Sequence, residues 1–143
     1  MKTVIAKAQE FEKTWCLVDV TGQTLGRVAS QIAAHLRGKN SPIFTPHVLM
    51  APHMVIINAD KIRVTGKKFK DKTYEHYTGY PGGLKSESFE NLFKRFPARV
   101  LEKAVKGMLP KNPLGRMAFR RLKVYAGETH PHVAQKPQFI TLK

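Results

Sequence analysis

The apolar positions of this chain change period along its length, and the changes mark out its elements. Trp15-Cys16-Leu17-Val18 is a short run of strand formers that stops at Asp19 and the turn pair Thr21-Gly22. Leu25, Val28, Ala29, Ile32, Ala33 and Leu36 then recur at the i, i+3, i+4, i+7 spacing of a helix with one buried face. Thr24 stands where the helix needs an N-cap, and Gly38 where a helix ends in left-handed backbone. Arg37 and Lys39 flank that end, where positive charge suits the helix dipole.

Pro42, Pro46 and Pro52 predict a loop over residues 40–53. Met54-Val55-Ile56-Ile57 is continuously apolar, as in a strand buried on both faces of a parallel sheet. Ile62-Arg63-Val64-Thr65 alternates and ends at Gly66, which predicts a strand with one wetter face. Lys67, Lys68, Lys70 and Lys72, broken by Phe69 and Asp71, form a basic loop. Tyr74 and Tyr77 lead into Gly79-Tyr80-Pro81-Gly82-Gly83, a flexible, turn-rich segment.

A helical pattern returns with Phe89, Leu92, Phe93 and Phe96 on one face and Ser88 as N-cap. Pro97 restarts the chain as the first residue of another helix, whose stripe is Leu101, Ala104, Val105 and Met108 and whose end is Pro110. Asn112-Pro113 repeats the cap-and-proline pair and opens a short helix through Leu114 and Met117. Leu122-Lys123-Val124-Tyr125 predicts a last strand. Residues 1–13 lack periodicity and read as an N-terminal arm; residues 127–143 read as an extended C-terminal tail. Strands alternating with helices imply an α/β layered architecture. At 143 residues the chain fits a single domain spanning 1–143, on the guide of about 100–200 residues per domain.

Charge adds what the pattern alone lacks. There are 25 Lys and Arg against 10 Asp and Glu, a formal net charge of +15. That exceeds the charge of about 2–8 that keeps a small domain soluble. Such an excess repels itself in a compact state and becomes favourable against a polyanion, where each phosphate contact releases condensed counterions. Between residues 94 and 123, Lys94, Arg95, Arg99, Lys103, Lys106, Lys111, Arg116, Arg120, Arg121 and Lys123 meet one acid, Glu102. The balance must come from outside this region. A merely solvated face is the bland alternative. The single cysteine, Cys16, rules out an internal disulfide and suits a reducing compartment. No apolar stretch follows Met1–Lys7 to suggest a secretory signal, and no run approaches the about 20 apolar residues of a membrane-spanning helix.

Motifs for catalysis or cofactor binding are sparse in the sequence. The turn from Asp19 to Arg27 lacks both the G-x-x-x-x-G-K-[ST] and the G-x-G-x-x-G spacing. A nucleotide-using α/β enzyme built on that turn is therefore the weaker hypothesis, and Asp19 reads instead as a turn-forming cap. No Gly-x-Ser-x-Gly elbow occurs, and no catalytic residue is expected. His130-Pro131-His132 invites a metal reading, but structural zinc wants four Cys or His ligands at set spacing, and Cys16 has no partner cysteine. No metal or cofactor is expected. Tyr74, Tyr77, Tyr80 and His76 could stack on unpaired bases or simply pack on a half-buried strand.

Several motifs together carry a resemblance. Trp15–Asp19, Thr24-Leu25-Gly26-Arg27, Leu36-Arg37-Gly38-Lys39, Thr45-Pro46-His47 and Asn58-Ala59-Asp60-Lys61 are joined by Val64-Thr65-Gly66-Lys67-Lys68 and Gly79-Tyr80-Pro81-Gly82-Gly83. Farther on stand Ala104-Val105-Lys106-Gly107-Met108-Leu109-Pro110-Lys111, Leu114-Gly115-Arg116, Lys123-Val124-Tyr125-Ala126-Gly127 and His130-Pro131-His132. From about Trp15 to Pro137 the chain resembles the bacterial large-subunit ribosomal protein thirteen family. The resemblance implies a three-layer α/β/α fold with a mostly parallel sheet of about four strands. It also implies a non-enzymatic role in the large ribosomal subunit, contact with large-subunit rRNA and neighbouring ribosomal proteins, and early action in subunit assembly. The place of work would be the cytoplasm, in a bacterial-type or organellar ribosome, with no membrane and no small-molecule substrate. Motif, charge and loop position together select Arg27, Arg37, Lys39, His47, Lys67, Lys68, Lys70, Lys106, Lys111, Arg116, Arg120, Arg121, His130 and His132 as RNA-facing candidates. A free RNA-binding regulator using the same surfaces is the closest alternative. The chain departs from the family at Leu49-Met50-Ala51-Pro52-His53, where an acidic, glycine-containing turn is usual. The apolar segment could pack on a neighbouring protein or mark a divergent lineage.

Overall fold

The computed structural model describes residue 7 and residues 14–142. The arm expected over 1–13 thus lies, apart from residue 7, outside the described residues. Strand β1 (Trp15–Asp19) leads through a turn into helix α1 (Leu25–Arg37), and β2 (His53–Ile57) follows the proline-rich loop. Next come a short helix α2 (Lys68–Asp71), strands β3 (Thr73–Tyr77) and β4 (Leu84–Ser88), and helices α3 (Phe89–Arg95), α4 (Pro97–Met108) and α5 (Pro113–Arg120). Strands β5 (Leu122–Val124) and β6 (Gln138–Phe139) close the chain.

Four strands form one sheet in the order β5-β2-β1-β6, and every pairing in it is parallel. The fold is α/β, consistent with three α/β/α layers. Met54, Val55, Ile56 and Ile57 are all buried, as a central strand requires. Val18, Met54, Ile56 and Leu122 meet Leu25, Val28, Ile32 and Leu36 of α1 and Val100, Leu101 and Val105 of α4 in one core. Fully burying one such side chain is worth about 1.5–3 kcal/mol, so the α1 and α4 stripes fix both helices on the sheet. The α1 boundary is set locally: Gly38 takes φ 81° and its N–H reaches the carbonyls of Ala34 and His35. Thr24 occupies the N-cap, but its side chain makes no capping bond.

Four expectations change. Ile62–Thr65 is not a sheet strand. Asn58 turns the chain in left-handed backbone (φ 58°), and Arg63 then pairs only with the turn before α1. Its N–H donates to Gln23 and its carbonyl accepts from Leu25. The fourth sheet strand is instead β6, inside the segment read as an extended tail. The lysine run is not all loop, since Lys68–Asp71 makes one helical turn. Finally, the tyrosine- and glycine-rich stretch is an antiparallel hairpin of β3 and β4. Its root is held by rings: Tyr74, Phe69 and Phe93 surround the buried Phe89 with centroids 5.6–6.3 Å from it.

The atypical loop resolves inward. Leu49 and Ala51 belong to the core, and Met50 is buried to 2% exposure. Its apolar character is explained by burial within this chain.

Candidate nucleic-acid interface

The end of α4 and the start of α5 are tied together by the chain itself. Pro110 and Asn112 break the helix; Asn112 Oδ1 then accepts from Gly115 N at 2.8 Å and opens α5. Gly115 lies directly against the Pro110 carbonyl, leaving no room for a β-carbon. The corner encloses a groove of about 670 Å³ with Leu109, Pro110 and Phe119 as its apolar part, and Lys103, Lys106, Lys111, Arg116 and Arg120 around them.

Leu109 and Pro110 also line a neighbouring concavity of about 560 Å³, where α1 contributes Arg37 and Lys39 stands just beyond its end. Met108 links that space to a third, of about 210 Å³, lined by Arg63, Lys68 and Lys72. The three thus present five, two and three cations in succession, and no carboxylate lines any of them. The described ion pairs lie elsewhere: Lys94 with Glu90 at 2.7 Å and Arg95 with Glu87 at 3.0 Å. With no carboxylate on their walls, these concavities favour an anionic occupant.

Of the residues selected from sequence, Arg37, Lys39, Lys68, Lys106, Lys111, Arg116 and Arg120 come together on this surface. Arg37 also holds the proline-rich loop, donating from Nη2 to the Pro46 carbonyl at 3.0 Å with its guanidinium 5.9 Å from the Phe44 ring. Arg27 is exposed beside Gly26 of the third concavity, and Lys67 and Lys70 are exposed at α2. His47 is exposed on the loop after α1. None of these four lines the grooves described.

Three further selected residues have partners within the chain. The Arg121 guanidinium is half-buried, donates to the Ala51 carbonyl, and has its pKa lowered by desolvation. The His132 ring lies tilted 5.0 Å from that of Trp15, and its Nε2 lies 2.8 Å from the Tyr125 hydroxyl. His130 accepts from the His132 backbone N–H at 3.2 Å. Conversely, Arg63, Lys72 and Lys103 line the surface without having been selected. Lys72 and Lys103 lay within basic runs, so charge signalled them; Arg63 was hidden in an alternating segment.

Among the aromatic candidates, Tyr74 packs. Its ring stacks on Phe89 and carries the Lys72 and Lys103 ammonium groups at 5.3 and 4.7 Å, and burial raises its phenol pKa. Tyr77 and Tyr80 are exposed at the hairpin tip, 59% and 73% respectively.

The Asp19 side chain caps its own turn. Its carboxylate accepts from Thr21 Oγ1 at 2.6 Å, Thr21 N at 2.9 Å and Asn58 Nδ2 at 3.0 Å. The Arg63 carbonyl takes the Leu25 N–H at the start of α1, one of the donors an anion there would use. Among the described residues no group of three or more His, Cys, Asp or Glu could hold a metal, and no helix is long and apolar enough to cross a membrane.

Comparison with known proteins gives one answer. A family model described as Ribosomal protein L13 matches residues 13–131. The large ribosomal subunit protein uL13 of Teredinibacter turnerae is 57% identical over 142 residues, covering 99% of this chain and 100% of its own. The proteins of the same name from Thioalkalivibrio sulfidiphilus and Pseudomonas aeruginosa are 58% and 56% identical over the same shares.

Proposed function

Because the chain belongs to the ribosomal protein L13 family, whose members are structural constituents and not enzymes, we propose that it binds and organises large-subunit rRNA and acts early in assembly of that subunit. Its own ribosomal role is structural. The observation that carries the RNA reading is the run of cation-lined concavities over α1, α4 and α5 without a single lining carboxylate. Phosphates supply the missing charge and release counterions as they bind. Arginines there grip phosphate bidentately, while lysines act as point charges.

Because the surface joins residues far apart in sequence, from Arg37 to Arg120, one folded unit holds separate RNA segments in a fixed relation. An early place in assembly is supported by a core drawn from this chain's own sheet and helices. The exposed Tyr77, Tyr80 and Leu84 of the hairpin offer an apolar patch for a neighbouring large-subunit protein. The place of work is then the large subunit in the cytoplasm.

The test is gradient sedimentation of cell extract with tagged chain. Co-migration with large subunits and their precursors that persists at moderate salt is expected. Recovery only in the free pool overturns the proposal, and recovery on other RNAs would favour a free regulator.

A further inference from the structure

We propose that the groove between α4 and α5 receives an unstacked nucleobase, laid against its apolar floor while the adjoining phosphates engage its basic rim. This rests on the reading of that face as an RNA surface and goes beyond it by naming the occupant.

Leu109, Pro110 and Phe119 supply the floor, while Lys106, Lys111 and Arg116 stand exposed on the rim. A duplex backbone offers only sugar and phosphate. It would reward the rim and leave the floor covered but unmatched. An unpaired nucleotide presents both parts at once, a flat π face and a flanking charge, and splayed bases are how proteins usually read RNA sequence. The groove's volume of about 670 Å³ lies within the range of about 300–1,000 Å³ typical of small-ligand sites.

The slot is also preformed. The Asn112 cap fixes the first turn of α5, and the Gly115–Pro110 approach leaves no slack between the two walls. Lys106 Nζ stands 6.0 Å from the Phe119 centroid, at the outer limit of about 6 Å for a cation–π contact. The contact is a long one, and the exposed Lys106 can exchange it for a phosphate as a base moves onto the ring. An acidic peptide would match the rim, but a carboxylate chain brings no flat partner for Phe119.

The experiment titrates the full chain with fluorescent oligouridylate and with an abasic ribose-phosphate strand of the same length, each across a salt series. Oligouridylate should bind about tenfold more tightly, in the range that aromatic stacking gives per base. Phe119→Leu, with folding verified by circular dichroism, should erase that preference and leave the salt slope unchanged. Arg116→Ala should lower the slope and keep the preference. Equal affinity of wild type for both strands, with a steep salt slope, overturns the nucleobase slot while leaving the RNA surface intact. No binding to either strand removes the RNA reading itself. Tighter binding of poly-glutamate than of oligouridylate overturns the proposal in favour of a protein tail.

Discussion

The backbone carbonyl of Met50 stands 2.5 Å from the place a β-carbon on Gly38 would occupy, and Gly38 holds φ 81°. The end of α1 and the segment after the proline-rich loop are thus packed backbone to backbone. Gly38→Ala forces an L-residue into left-handed backbone, a cost of about 1–2 kcal/mol, and also displaces Met50. The urea midpoint should fall with an unchanged m value. An unshifted midpoint would show that residues 49–51 yield freely.

Asn112 works both as a helix cap and as the fixed point of the groove. Asn112→Ala leaves the Gly115 N–H without its acceptor and should lower stability by about 1 kcal/mol. RNA affinity should fall with it, because Lys111 and Arg116 flank the loosened turn. Thermal melts and anisotropy titrations separate the two effects. Intact affinity beside reduced stability would mean the rim does not depend on the cap.

Arg116 and Arg121 should part company. Arg116 is exposed on the groove, whereas Arg121 donates to the Ala51 carbonyl from a half-buried position. Arg121→Met removes that donor and leaves a carbonyl unsatisfied, at about 1–3 kcal/mol, with little change in RNA salt dependence. Arg116→Ala should instead leave the melt near wild type and reduce the log–log salt slope by about 0.7–0.9. A slope change for Arg121→Met equal to that for Arg116→Ala would place Arg121 on the RNA surface after all.

Asp19 gives a pH signature. The Thr21 hydroxyl foremost, then the Asn58 amide, the Thr21 N–H and the charge on Lys61, hold its carboxyl below the ordinary 3.8, with burial opposing them. A carboxyl depressed in the folded state contributes stability that is present above its unfolded value and lost as pH falls through the folded one. Asp19→Asn should therefore be less stable than wild type at pH 7, and the gap should close as pH drops below 3.8. Urea titrations at both ends of that range read it directly. A gap that persists undiminished in acid would show that shape, not charge, accounts for the loss.

Much of the fold was legible because it rests on local signals. The stripe from Leu25 to Leu36, the glycine after it, and the Ser88 and Asn112 caps each act within a few residues, and the structure places them as read. Other features were not legible. β6 is two residues long and exists because β1 offers a free edge; just past it, the Ile140 N–H reaches the Leu17 carbonyl across more than a hundred residues of chain. The hairpin is exposed along most of both strands, with only Tyr74, Glu87 and Ser88 partly buried, so no alternation announced it. Ile62–Thr65 alternates like a strand but was diverted by the left-handed Asn58.

By itself, the sequence determined the sign and excess of charge, the helices with a one-sided apolar stripe, the buried central strand and the family likeness. These depend on composition and on neighbours three or four residues apart. Only the tertiary structure decided which cations share a surface. Sequence position made Arg121 and Arg116 equals, yet folding aims one at the Ala51 carbonyl and leaves the other on an open groove. The same folding brought Arg37 and Lys39 to Leu109 and Pro110. Those choices follow from how α1, α4 and α5 bury their apolar faces on one sheet, a long-range condition that no short window of residues contains.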